Sequence, residues 1–475
     1  MKKNFFRKVG FGISPDQMVP EDPVSWAQNQ VDKVPPLIWD NKIRSGEEML
    51  NYYAEWVYTD REILRKKHKG NRKAYEDAKN QLRHKVGIRY FENLEICIRQ
   101  NTALKSGAPV FERLWLFWCN HFAIIDKDAM PQFTTGPYQR ETIRTNMCGS
   151  FETLLKEATL GWSMIHNLDN SESIGPHSEW GKNRRKRGKL ATVNENHARE
   201  LLELHTISPA AGYSQEDVVQ LSYIMAGWEH EHTKKRKECN PVRFNHKKHE
   251  PGNHKVLEKR YKQRGLSPKN KLLDVLKDLA AHPETKRFIA YKLCKHFLTD
   301  NPTEEMIAPI IAAWEKSGGN LPTIHKALLK VVYDYADKEA KFQNPEIWML
   351  QMVNMVGGSW PLQADEMKYN FKIKPNNHQR RPHFFMKEIG YEPYRAIQPN
   401  GYSDMESDWI SPELLIRRMS APKEIAKRRI SLKNFEEMIE KNFDNPEEIK
   451  DLIDGVKSPS TKMQLIFPSY RMLKT

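Results

Sequence analysis

Two short stretches of this sequence gather ionisable side chains among apolar neighbours, the setting in which acid, base or metal chemistry becomes effective. In TVNENHARELLELHT, residues 192–206, three glutamates, two histidines and an arginine share positions that otherwise read as helix. Turned by about 100° per residue, Ala198, Leu201, Leu202 and Leu204 fall on one side, while Glu195, Arg199 and Glu203 form an acid–base–acid ladder on the other. Asn194 and His205 fall inside the apolar stripe and His197 at its edge, where a polar group without a partner costs about 1–3 kcal/mol. The second stretch, FERLWLFWCNHF from Phe111, is apolar at nearly every angle, so Arg113, Asn120 and His121 sit in an apolar sleeve. A buried arginine keeps its charge and demands a carboxylate, and Glu195, Glu200 and Glu203 are in surplus. The expectation is that the two helices pack together, with Arg113 or Arg199 paired to those glutamates and His121 near His205.

General acid–base chemistry suits such a cluster best. Glu203, His205 and His121 are the candidate acids and bases, because burial beside other charges shifts their pKa values. Arg113, Arg199 and Lys255 would orient an anionic substrate, with Asn120, Asn194 and His249 positioning it. A divalent metal is the rival chemistry, with Glu200, Glu203 and His205 as ligands beside His121. The Glu-x-x-His spacing of bundle di-metal centres is absent, since Glu203 and His205 are two apart. A second metal candidate is the loop set His230, His232, Cys239, His246, His249 and His254, whose spacing matches no zinc module and which lysines crowd. Neither a haem attachment site nor a nucleotide-binding loop occurs, so the cofactor is open. Cys119 reads as core, and no G-x-S-x-G is present. The same ionisable residues fit a non-catalytic binding or assembly protein, in which they pin helices together.

Positioning these groups falls to helices. Periodicity predicts them near 46–68, 71–105, 109–125, 138–160, 193–206, 214–228, 269–280, 283–299, 303–317, 321–333, 345–357, 411–427 and 432–455. Ser214 before Asp217 and Thr192 before Glu195 read as capping starts, and Pro283 and Pro302 as helix openings. The fold class is therefore all-α, a large bundle-like assembly with long basic loops. Those loops are HSEWGKNRRKRGKLAT from His177 and the stretch from Glu229 to Gly265, both read as solvated connections. A third irregular region spans roughly 358–410. Against 61 acidic residues the chain has 76 basic ones, a net charge of +15, which favours an acidic partner or a polyanion such as nucleic acid. Five scattered cysteines fit a reducing compartment. The start, MKKNFFRKVGFGISP, lacks a secretory apolar run, and no stretch of about 18 apolar residues would span a membrane, so a cytoplasmic protein is expected.

RKVGFGISP, FERLWLFWCNHF, NENHARELLELHT, GYSQEDVVQLSYIMAGW, HPETKRFIAYKLCKHF and NGYSDMESDWISPELLIRRM resemble, in order, the signatures of the bacterial family called domain of unknown function 1800. Phe244, His249, Glu250 and Lys255 are similar to further positions of that family, with Glu250 standing where aspartate is usual. HTISPAAGYS departs from the usual leucine-glycine after the threonine. The resemblance implies a single large helical domain over 1–425, with 269–357 as a helical subdomain and 426–475 as a C-terminal helical extension. It implies no agreed activity. A protein of the domain of unknown function 1501 family, often encoded beside such members, is the implied partner.

Overall fold

A computed structural model of the chain describes residues 2–39, 43–55, 60–86, 88–230, 242–263, 268–360, 382–429 and 435–475. They are mostly helical, with two small antiparallel sheets. The Pro109–His121 helix is the hub. Proline at its first turn loses no needed hydrogen bond, and every residue from Pro109 to Cys119 is buried. It packs against the helices Lys3–Val9 and Ile88–Lys105 and the segment Tyr138–Ile143. One apolar core runs from Phe5 to Ala336 around this hub, and a second links Ile96 with Phe342 through Met472. Residues beyond 426 thus share a core with the Pro345–Met355 helix, and the Pro412–Arg429 helix packs on Pro459–Ile466.

Two closed ion pairs flank the hub. Glu112 takes both terminal nitrogens of Arg144, and Glu346 receives Arg99 through Nε at 2.9 Å and Nη2 at 2.8 Å, with Gln100 adding a bond of 2.6 Å. All four ion-pair partners are buried, so their desolvation is offset by bidentate geometry.

Several expected elements change. The 138–160 helix divides at a turn through Gly149, because Ser150 caps a new helix, Phe151–Thr159. The 46–68 segment holds two helices, Gly46–Ala54 and Arg61–Lys67. The 432–455 segment breaks between Asn442 and Pro446, where proline opens the next helix. Ser214 forms its capping box with Asp217, and Pro283 opens its helix. Pro302 instead precedes the cap Thr303, and Thr192 stands outside a helix that starts at Asn196.

Both basic loops contain folded parts. The first forms a helix, Glu179–Lys186, started by Ser178. Within the second, Trp228–His230 pairs with Val242–Phe244, and His254–Val256 pairs with Lys259–Tyr261. The turn of the second hairpin puts Leu257 and Glu258 at φ 47° and 65°, the twist that a two-residue hairpin demands. Among the described residues no helix is long and apolar enough to cross a membrane.

Candidate functional site

NENHARELLELHT folds as an α-helix, Asn196–Glu200, that widens into a π turn, Leu201–His205, whose close Thr206 seals by donating its hydroxyl to the Leu201 carbonyl at 2.6 Å. A π turn adds a residue to the helical repeat and is frequent at functional sites. His205, at its end, lies inward as its place in the apolar stripe predicts, 1 % exposed. The ladder on the outer side forms as expected. Arg199 lies 3.1 Å from Glu195 and 3.7 Å from Glu203, and it also donates to Gln215 at 2.9 Å. Glu203 accepts the Tyr213 hydroxyl. Burial and Glu203 raise the Glu200 carboxyl, with Arg199 opposing them.

His205 meets the last residue of the hub helix, His121, with ring centroids 6.0 Å apart. His121 Nε2 lies 3.3 Å from the His205 carbonyl, and since a carbonyl only accepts, Nε2 carries the hydrogen. The Nδ1 lone pair is then free to accept, and Lys292 Nζ is 3.0 Å away. Lys292 and His296 are one turn apart on the Pro283–Phe297 helix and face the same way. His296 Nδ1 is 2.8 Å from Asp404 Oδ1, and Lys341 donates to both Asp300 and the Asp404 carbonyl. Asn120 holds the Asp404 loop by a double clasp, Nδ2 to the Tyr402 carbonyl and Tyr402 N–H to Oδ1, each 2.8 Å. Gly401 is required there, since φ is 72° and a Cβ would stand 2.5 Å from Asn120 Oδ1.

Burial dominates the electrostatics. It pushes His205 and His197 down to about 3, helped at His205 by His197 and Lys292. Burial, Lys292 and His205 hold His121 well below the usual histidine value. These imidazoles are neutral near pH 7. Lys292 is lowered to about 8 by burial, with Asp404 opposing and Lys295 adding to the shift. For Asp404, burial pushes up, but His296, Lys341 and Lys292 outweigh it and hold the carboxyl below the ordinary range. Buried ring nitrogens without a hydrogen-bond partner remain at His205 Nδ1, His296 Nε2 and both positions of His197.

The remaining predicted residues are dispersed. Arg113 finds no carboxylate. Its guanidinium is solvated by the Gly10 carbonyl at 3.3 Å, the Arg7 carbonyl at 3.5 Å and Gln343 Oε1 at 3.0 Å, and it lies over the Phe297 ring. Burial lowers it to about 9, with Asp404 the opposing charge. Neutral oxygens and an aromatic face thus replace the expected ion pair. Asn194 is only partly buried, because it precedes the helix, and its Oδ1 accepts from Asn196 N–H at 2.9 Å. His249 bonds the Ala226 carbonyl through Nδ1 at 2.9 Å, and burial and Lys271 lower it to about 4. Lys255 is exposed beside Glu258 at 2.6 Å. Glu250 receives His177 through N–H at 2.8 Å and Nδ1 at 2.6 Å. Glu200, Glu203 and His205 do not converge, for His205 turns inward while the glutamates stay with Arg199. Among the described residues no three His, Cys, Asp or Glu side chains are grouped to hold a metal ion. His232 and Cys239 of the loop set lie outside the described residues. His230 bonds His166 at 3.1 Å, and His254 bonds Gln220 at 3.0 Å. A cleft of about 190 Å³ between Glu92 and Arg395 has none of the predicted residues in its lining.

Lys292, His296 and Asp404 escaped the sequence reading. The first two carry a faint signal, polar residues four apart beside Leu293, Cys294 and Phe297. Asp404 carries none.

The segments that meet here are those whose order marks the chain. The model of the family described as Protein of unknown function (DUF1800) matches residues 4–465, nearly the whole length, and the chain belongs to that family. No curated protein and no solved structure matches it.

Proposed function

We propose that Lys292, His121 and His205 form a general acid–base site acting on an anionic substrate. One observation carries this reading: a lysine amine, lowered to about 8, rests 3.0 Å from a neutral imidazole nitrogen, and among the described residues no carboxylate bonds to it. Near that pH the group exchanges readily between amine and ammonium. The amine takes a proton from a substrate bound over it; His121 Nδ1 accepts from the resulting ammonium, which then returns the proton. The His205 carbonyl fixes the His121 tautomer. Lys292, Lys295, Lys341 and Arg113 outnumber Asp404 and Asp300 in this region, which favours a carboxylate or phosphate ligand. The rival, purely structural reading fits Arg99–Glu346 and Arg144–Glu112, which are closed and paired. It accounts less well for a lysine amine that meets an imidazole nitrogen in place of a carboxylate.

The test is proton exchange from D₂O into a panel of small carboxylates and phosphate esters, followed by NMR, with Lys292→Met and His121→Gln as variants. The wild type is expected to exchange at least one class. Lys292→Met should fold and lose about 100-fold or more of the rate. A Lys292 amine titrating near the ordinary lysine value, or a Lys292→Met variant that exchanges as fast as the wild type, would overturn the proposal.

A further inference from the structure

Away from this cluster, the Glu179–Lys186 helix and its exit carry a strongly cationic surface. Lys182, Arg184, Arg185, Lys186, Arg187 and Lys189 are all exposed. Glu179 is the acid of this stretch, and it faces Lys247 at 3.3 Å. The helix is firmly seated. Gly181 packs so closely that a Cβ would stand 2.2 Å from the Gly175 carbonyl, Trp180 N–H bonds the Lys247 carbonyl at 2.9 Å, and Arg185 bonds the Pro176 carbonyl at 2.5 Å. With Gly181 turned inward, Trp180, Arg184 and Arg187 share an outer face at helical spacing.

Two large apolar side chains stand within this charge. Trp180 is 42 % exposed, its ring beside the Lys248 amine at 5.3 Å, and Leu190 is 82 % exposed just past the helix end. We propose that this face docks on a bilayer containing anionic phospholipid. Lysine and arginine meet the headgroup phosphates, Trp180 sits at the interfacial level where its ring is amphipathic, and Leu190 enters the acyl boundary. Nucleic acid would satisfy the cations, but a phosphate backbone offers an exposed leucine no apolar surface. The bilayer is the surface that satisfies both kinds of residue.

The test is co-sedimentation of the full chain with vesicles of phosphatidylcholine alone or mixed with phosphatidylserine, alongside fluorescence anisotropy with single-stranded RNA and duplex DNA. The chain is expected to sediment with the mixed vesicles, weakly with neutral ones, and less as salt rises. Arg184→Glu with Arg187→Glu should weaken vesicle binding roughly 30-fold or more, since each basic residue near the surface contributes about fivefold. Leu190→Ser with Trp180→Ala should weaken it about tenfold while leaving any nucleic-acid binding unchanged. Circular dichroism checks the fold of each variant. Absence of sedimentation with mixed vesicles, indifference to either pair of substitutions, or tight binding confined to RNA or DNA would overturn the proposal.

Discussion

A histidine buried as a neutral ring writes its surroundings into the pH dependence of folding. His197 and His205 are held near 3 when folded, against 6.5 when free. Above about 6.5 both states leave these rings neutral; as pH falls below it, only the unfolded chain takes up the protons. Stability is therefore present near neutrality and lost as pH drops towards 3, by about 1.4 kcal/mol per pH unit for each such ring. Urea unfolding between pH 7 and 5 should show that slope. His197→Phe removes a ring whose nitrogens have no hydrogen-bond partner and should lower the slope by about one proton. An unchanged slope would mean that His197 is hydrated and titrates normally. At this scale the sequence was partly legible. Burial of His197, His205 and His121 followed from their place in apolar stripes, and Arg199 met both Glu195 and Glu203 because residues four apart on a helix are neighbours. Arg113 defied the same logic because backbone carbonyls, which no side-chain pattern announces, can solvate a guanidinium.

Between residues and molecule, two local devices shape the site. The π turn, Leu201–His205, leaves His205 in the apolar stripe where the 100° wheel puts it, and nothing in the side-chain spacing announces its wider repeat. Asn194, which the 193–206 periodicity assigns to the helix, precedes one that begins two residues later. The other device is the Asn120 clasp on Tyr402, which spans 282 residues of sequence and so leaves no local trace. Asn120→Ala removes both of its bonds to Tyr402 and is expected to cost about 2 kcal/mol, measured by urea unfolding. Gly401→Ala adds a Cβ against Asn120 in a left-handed backbone and should cost more. Both should lower the Lys292 pKa further, because they displace the Asp404 charge that opposes its depression, whereas a Lys292 titration unaltered in both variants would show that the clasp does not govern the site.

At the scale of the whole molecule, the helical class was legible because amphipathic spacing survives packing, while the division of the core into separate clusters was not, since it depends on which distant faces meet. Arg99 and Glu346 join the helices Ile88–Lys105 and Pro345–Met355. Glu346→Ala strands a buried guanidinium and is expected to cost about 3–5 kcal/mol, read as a lower urea midpoint; a change below about 1 kcal/mol would mean that water reaches Arg99. The carboxylate of Asp404 joins the buried polar cluster from a point nearly three hundred residues after His121, with His205 and Lys292 spaced between them. On the ribosome, then, the cluster is completed late: the hub helix emerges long before the loop that balances Lys292, and a nascent chain stalled short of that loop carries the lysine without its counter-charge.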